Sequence, residues 1–349
     1  MKIQKSLFLL LFFAVSCTKN DIPTCVDDVA LFSLADFPIG VAVSPFELES
    51  NSAYRQIVVE QFNRITPGNV FKPDALQPLE NDFSFEIADS LVAFANANGK
   101  QIHGHTLLWH NQLPSWMNNF SGNRDEWISM METHIKTVVT HFGNQVKSWD
   151  VVNEAFEDNG DFRANIWYQN IGEEYLKLAF ELAHEANPDA ILFYNDFNIA
   201  AKPKKCEAIL NHFKKLKNEG VPVHGIGLQL HIFNATPSEN KIENAVKAIV
   251  NEGFQVHFSE IDISMNLSGG NMQLTDNKLQ KQGERMKLLT DIFQTIPENQ
   301  QFGMTIWGVS DLDSWIPSFF GREDYPLLYD ENYEPKPMYC GFLEGLTER

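Results

Sequence analysis

Residues 147–154 read Lys-Ser-Trp-Asp-Val-Val-Asn-Glu. The run is short and largely apolar at its centre, the pattern of a buried strand, and the carboxylate of Glu154 follows it directly. A second run, His257-Phe258-Ser259, leads in the same way to Glu260. In parallel barrels the carboxyl ends of the strands gather on one face, and the reacting groups sit there.

Outward from these two runs, short apolar strands alternate with longer amphipathic helices, which argues for parallel βαβ units. The strand candidates are Ile39–Val43, Arg64–Val70, Ile102–Trp109, Val146–Asn153, Ile191–Asp196, Gly225–His231, Gln255–Asp262 and Phe302–Val309. Between them lie the helical patterns Ala88–Asn98, Trp127–His141, Glu173–Ala186, Lys204–Lys217, Lys241–Asn251 and Asp276–Gln294. Several end at breakers such as Asn98-Gly99 and Asn187-Pro188. Eight strands in strict alternation predict an α/β fold of the (β/α)8 TIM barrel type, formed as one catalytic domain over residues 29–349. Glu154 then ends the fourth strand and Glu260 the seventh, so both open onto the same face.

The composition is compatible with one large domain. The chain has 349 residues, 44% of them hydrophobic, enough to bury the core of a barrel of about 250 residues or more. Its net charge of −19 repels polyanions and argues against nucleic acid, but not against a neutral polymer. The 7 Trp and 27 Phe suit a groove in which sugar rings stack on aromatic faces, although most aromatics in any chain are core.

At the amino terminus, Lys2 and Lys5 precede an apolar run from Leu7 to Val15, too short for a comfortable membrane span. The run reads as a secretory signal, and Ala14-Val15-Ser16-Cys17 resembles a bacterial lipobox, with Cys17 acylated. Residues 1–17 are therefore expected to be a lipoprotein signal and 18–28 a short polar tether. The expected location is outside the cytoplasm, on a bacterial membrane, most simply the outer membrane, to which the lipid on Cys17 anchors a monomeric protein. Of the remaining cysteines, Cys25 and Cys340 lie near the two ends of the folded region, where barrel termini often meet. A disulfide between them stays open at this point, and no cysteine spacing matches a zinc motif.

Two carboxylates opening into one cleft suit glycoside hydrolysis. Retaining enzymes need one protonated carboxyl to release the leaving group and one ionised carboxylate to attack the anomeric carbon, about 5 to 5.5 Å apart. Either residue alone reads more simply as a solvated or ion-paired acid. Metal catalysis is a weaker reading: His103 and His105 share a strand face but His110 is offset, and no second ligand group completes a site. No Gly-x-Ser-x-Gly signals a nucleophilic serine, and no cofactor or metal is implied.

With these residues in view, the chain resembles glycoside hydrolase family 10, the β-1,4-xylanases, over most of residues 39–340. Gly104-His105-Thr106-Leu107-Leu108-Trp109-His110-Asn111-Gln112, with Pro114 and Trp116, looks like the family's third-strand signature. Trp149 to Ala155 resembles its acid/base strand and Ser259-Glu260-Ile261-Asp262-Ile263 its nucleophile strand. Gly227 to His231 and Thr305 to Trp315 match the sixth and eighth strands.

The resemblance implies an endo-acting retaining xylanase on xylan or xylo-oligosaccharides. Glu260 would be the nucleophile and Glu154 the acid and then the base, the two steps together retaining configuration. Asn153 would bind the sugar 2-hydroxyl, and His231, with Asp262 behind it, would keep the nucleophile ionised. His105, Trp109, Gln112 and Gln229 would hold the sugar on the non-reducing side, Trp307 and Trp315 would wall it, and Tyr194 would border the reducing-side subsites. One departure stands out. Where the family's second strand usually reads Thr-x-Glu-Asn-x-x-Lys, this chain has Thr66-Pro67-Gly68-Asn69-Val70-Phe71-Lys72. Asn69 and Lys72 remain as sugar ligands, but Gly68 replaces the Glu. That change keeps open a related enzyme on another β-glycan or on short oligosaccharides. A glycan-binding protein without turnover is the third reading, and the intact Asn153, Glu154 and Glu260 speak against it.

Overall fold

The computed structural model describes Cys25 and residues 28–348. Nine strands form one parallel system: β1 (Ile39–Val43), β2 (Arg64–Pro67), β3 (Gln101–Leu108), β4 (Ser148–Asn153), β5 (Ile191–Asp196), β6 (Gly225–Leu228), β7 (His231–Phe233), β8 (Gln255–Ser264) and β9 (Gln301–Ile306). β1 pairs with both β2 and β9, and β6 pairs with β8, so the sheet closes on itself. Helices follow the strands in alternation, which makes this the expected eight-stranded (β/α)8 barrel.

The expected sixth strand, Gly225–His231, comes in two pieces. Leu230 has φ 57°, a left-handed conformation that interrupts the strand, and the chain resumes as β7. Both pieces lie along β8, at Gln255–Phe258 and at Asp262–Ser264, so β7 prolongs the sixth stave. Other boundaries move by a few residues. The second strand stops at Pro67, the eighth at Ile306, and the seventh runs on to Ser264, which leaves Glu260 inside its strand rather than at its end. The helix Asp276–Gln294 has the expected bounds, whereas Ser52–Gln61 and Pro337–Thr347 are helices the apolar periodicity did not single out.

Strand alternation sends side chains to two different layers. Outside the staves, Trp149 packs on Phe71 and Phe142 of the helix Arg124–Phe142. Inside, the rings of His103, Phe193, His257 and Phe302 meet. Each histidine of that inner layer has a polar partner on one ring nitrogen: His103 Nδ1 lies 2.8 Å from Ser148 Oγ and His257 Nε2 lies 2.9 Å from Thr305 Oγ1. The last helix, Pro337–Thr347, lies against Asp276–Gln294 at a crossing of two glycines. A Cβ on Gly341 would come within 1.9 Å of the Gly283 carbonyl oxygen, so only glycine permits this approach. Cys340 on the same helix is disulfide-bonded to Cys25, which settles the pairing left open by the sequence. Cys17 and the expected signal and tether lie outside the described residues, apart from Cys25 and Asp28.

Candidate active site

Glu154 follows β4 directly, and its backbone is in the left-handed region, φ 58°, unusual for a residue with a Cβ. Four hydrogen bonds hold it and Ala155 there. The Glu154 N–H donates to the Asn195 carbonyl at 2.9 Å and the Ala155 N–H to the Tyr194 hydroxyl at 2.9 Å. Arg163 closes the other side: its Nε donates to the Glu154 carbonyl at 2.9 Å and its N–H to the Ala155 carbonyl at 2.7 Å.

Glu260 reaches the same cleft from β8, where the register against β9 shifts between Phe258 and Ile261. Such irregularities re-aim side chains. Here both Ser259 and Glu260 meet Asn195: Ser259 Oγ donates to its Oδ1 at 2.6 Å, and its Nδ2 donates to Glu260 Oε1 at 2.6 Å. His231 of β7 takes the second oxygen, with Nε2 3.2 Å from Glu260 Oε2, while its Nδ1 lies 2.7 Å from Asp262 Oδ2. The Trp315 indole donates to that Asp262 oxygen at 2.8 Å.

The charges follow from this geometry. Burial disfavours an imidazolium at His231, but Asp262 first and Glu260 next outweigh it and raise its pKa to about 10. Burial likewise disfavours an ionised Glu260, yet His105 and His231 hold its carboxyl below the usual value, so it is a carboxylate at neutral pH.

Amides link the two carboxyls. Gln229 Nε2 donates to Glu154 Oε1 and to Asn153 Oδ1, both at 3.1 Å, and Asn195 Nδ2 donates to Asn153 Oδ1 at 3.0 Å. Turning the Asn153 amide would let its oxygen accept from the Trp109 indole at 3.3 Å and its NH2 donate to the Asn195 carbonyl at 3.1 Å, but would set that NH2 against the side-chain amides of Asn195 and Gln229, which the two carboxyls hold as donors. Glu260 commits Asn195 as a donor, so the first orientation is the consistent one.

His105 Nδ1 lies 2.8 Å from Asp150 Oδ2, and its ring stands 5.3 Å from that of Trp307. Trp109, Trp307 and Trp315 are half-buried, unlike the fully enclosed Trp149 and Trp167, which leaves ring surface for a ligand. Beside them, Lys72 Nζ donates to Gln112 Oε1 at 2.6 Å and Asn69 Oδ1 at 3.0 Å, and lies 5.0 Å from the Trp109 ring. Burial lowers the Lys72 pKa to about 8. Next to it, a Cβ on Gly68 would meet only the Val43 backbone, its oxygen at 3.3 Å, so the backbone does not demand glycine here.

The structure thus brings together Glu154, Glu260, Asn153, His231, Asp262, Gln229, His105, Trp307 and Trp315, with Asn69, Lys72, Gln112 and Trp109 adjoining. It does not bring Tyr194 with them. Alternation along β5 turns Asn195 to the carboxyls and Tyr194 to the opposite side, against Phe213 at 4.5 Å, where it is fully buried. The expectation that Tyr194 borders a sugar subsite is therefore corrected. Phe197, partly exposed just beyond β5, is the aromatic at that mouth.

Sequence reasoning also missed Asn195 and left His110 without a role, although its Nδ1 lies 3.8 Å from Glu154 Oε2. The run Tyr194-Asn195-Asp196, polar at the carboxyl end of a strand, was the available signal for Asn195. His103 and His105 both turn to Asp150 Oδ2, at 3.1 and 2.8 Å.

A closed barrel with an ionised carboxylate and a second carboxyl across a bridge of amides defines the class: a glycoside hydrolase. The chain belongs to glycosyl hydrolase family 10, whose model matches residues 29–344. It is 38% identical to endo-1,4-beta-xylanase B of Thermotoga neapolitana over 100% of this chain and 99% of that protein. The fold is similar to that of native xylanase 10B from Thermotoga maritima, with a TM-score of 0.86, 39% identity and coverage of 91% of this chain and 98% of that one. Xylanase 10B from Thermotoga petrophila, solved with xylobiose, gives a TM-score of 0.86 and 38% identity over 92% and 98% of the two chains.

Proposed function

We propose that this protein is a retaining endo-β-1,4-xylanase that cleaves internal bonds of xylan by double displacement. The observation that carries the reading is the grip on Glu260: His231 at 3.2 Å and Asn195 at 2.6 Å fix an ionised carboxylate in the cleft that Glu154 also faces.

Glu260 attacks the anomeric carbon and forms a glycosyl-enzyme while Glu154 protonates the departing oxygen. Glu154 then takes a proton from water, which releases the sugar with its original configuration. The Asn153 NH2, its oxygen already occupied by two donors, meets the 2-hydroxyl, and the three half-buried tryptophans enclose the sugar. The similarity to xylanases, one of them solved with xylobiose, supports xylan as the substrate. A second reading, a related glycosidase preferring short oligosaccharides or another β-glycan, rests on Gly68, which removes an acidic side chain from the subsite beside Asn69 and Lys72. Cys17 serves as a lipid attachment point that anchors the enzyme to a bacterial membrane; among the described residues no helix is long and apolar enough to cross one.

The test is product analysis on xylan, cellulose, mannan and xylo-oligosaccharides, with NMR of the first anomer released. Early xylo-oligosaccharides in the β-configuration are expected, and no release from xylan overturns the reading. Glu260→Ala should abolish all turnover. Glu154→Ala should spare the first turnover on an aryl xylobioside whose leaving group needs no proton, and equal loss in both variants would refute the assignment of roles.

A further inference from the structure

A chain of three buried groups stands directly behind Glu154, and the reaction as described uses none of them. Lys205, Asp196 and Tyr194 are each fully enclosed. Lys205 Nζ, on the helix Pro203–Asn218, lies 2.6 Å from Asp196 Oδ1 and 3.9 Å from the Phe197 ring. The Phe197 N–H donates to the same oxygen at 2.8 Å. The Tyr194 hydroxyl donates to Asp196 Oδ2 at 2.5 Å and accepts the Ala155 N–H at 2.9 Å.

The arrangement is costly unless it does something. Three polar side chains, an ammonium and a carboxyl among them, are taken out of water where an apolar filling would pack as well, and such groups need every partner they have. Their link to the Glu154 backbone is the Ala155 N–H. Burial pushes the Asp196 carboxyl up to about 7 while Lys205 at 2.6 Å favours its ionised form, and donation to that carboxyl makes the tyrosine oxygen a stronger acceptor, since linked hydrogen bonds polarise one another. The bond it accepts belongs to the peptide that leaves Glu154, whose φ of 58° lies in a region that costs a residue with a Cβ and persists only where surrounding contacts enforce it. The other three bonds on this segment come from the Asn195 carbonyl and from Arg163, so Tyr194 supplies the only side-chain acceptor.

We propose that Tyr194, oriented by Asp196 and Lys205, is a positioning residue that holds Glu154 in its left-handed backbone conformation and so aims its carboxyl at the leaving-group oxygen. The inference rests on the reading of Glu154 as the general acid. Removing the tyrosine hydroxyl leaves the nucleophile and its partners in place and loosens only the acid. The defect is therefore expected only where the leaving group needs a proton.

The experiment compares kcat/KM of Tyr194→Phe and Lys205→Met with the parent enzyme on two aryl β-xylobiosides, phenyl and dinitrophenyl, alongside thermal unfolding. In both variants the phenyl substrate should lose about tenfold and the dinitrophenyl substrate less than about twofold, because the second departs without acid assistance. Equal losses on both substrates would mean a merely structural role and overturn the proposal, as would no loss on either. If Tyr194→Phe does not fold, Lys205→Met decides by the same criterion, since it leaves the hydroxyl in place and removes what orients its acceptor. Glu154→Ala serves as the reference. A split there without one in the variants refutes the positioning role alone; no split in Glu154→Ala refutes the acid assignment, and the positioning role falls with it.

Discussion

Replacing His231 by Gln tests how Glu260 is kept charged. The imidazole is lifted from its ordinary value near 6.5 to about 10 by Asp262 and Glu260, against the opposing effect of burial. That displacement corresponds to about 5 kcal/mol of preference for the charged form, a ceiling on what the cation contributes. Glutamine keeps a donor but never a charge, and it leaves two buried carboxylates, Glu260 and Asp262, facing one side chain. Breaking a buried ion pair from one side costs about 3 to 5 kcal/mol, which in a chain of this size lowers Tm by roughly 5 °C. The sign with pH follows from linkage. A raised histidine pKa contributes its stability in full below about 6.5 and loses it as pH rises through about 10, so the gap in Tm between parent and variant should narrow across that window. Activity should respond at the other end of the scale. Glu260 is held below its usual value partly by His231, so the acidic limb of kcat/KM against pH should move upward in the variant. Scanning calorimetry from pH 6 to 10 and initial rates on an aryl xylobioside measure both. An acidic limb that does not move, or a Tm gap independent of pH, would refute the reasoning.

Two further outcomes are expected. Reducing the Cys25–Cys340 bond, which spans 315 residues, removes a loop-closure contribution on the order of 5 kcal/mol and should lower Tm by roughly 7 °C while leaving kcat at 25 °C unchanged; an unaltered Tm would show that the termini are held without it. Gly68→Glu meets only the Val43 backbone at its Cβ, so it should fold and should raise kcat/KM on xylotetraose by about tenfold through a charged acceptor, without effect on an aryl monoxyloside; parallel changes on both substrates would show that the gap is not a subsite.

Much of the site was legible because its residues sit on or beside strands whose apolar runs are hard to mistake. Glu154 and Glu260, with Asn153, His231 and Asp262, fall on the staves that strand counting gives them, although Glu260 lies inside its strand rather than at its end. Tyr194 did not, because neighbours in a strand face opposite sides, and a motif read as a string does not say which side faces the cleft. Asn195, which bonds both Glu260 and Asn153, passed unnoticed for the same reason. Its importance lies in partners on β4 and β8, not in its own segment.

The sequence by itself determined the alternation of strand and helix, hence the barrel, and the identity of the two carboxyls, because local periodicity and strand-end chemistry are properties of short segments. Only the tertiary structure decided the rest: the break at Leu230 that prolongs the sixth stave, the left-handed turn at Glu154, the pairing of Cys25 with Cys340, and which carboxyl is gripped by a cation. Each of these depends on groups far apart in the chain meeting at distances of a few ångströms, and only closure of the barrel fixes which groups meet.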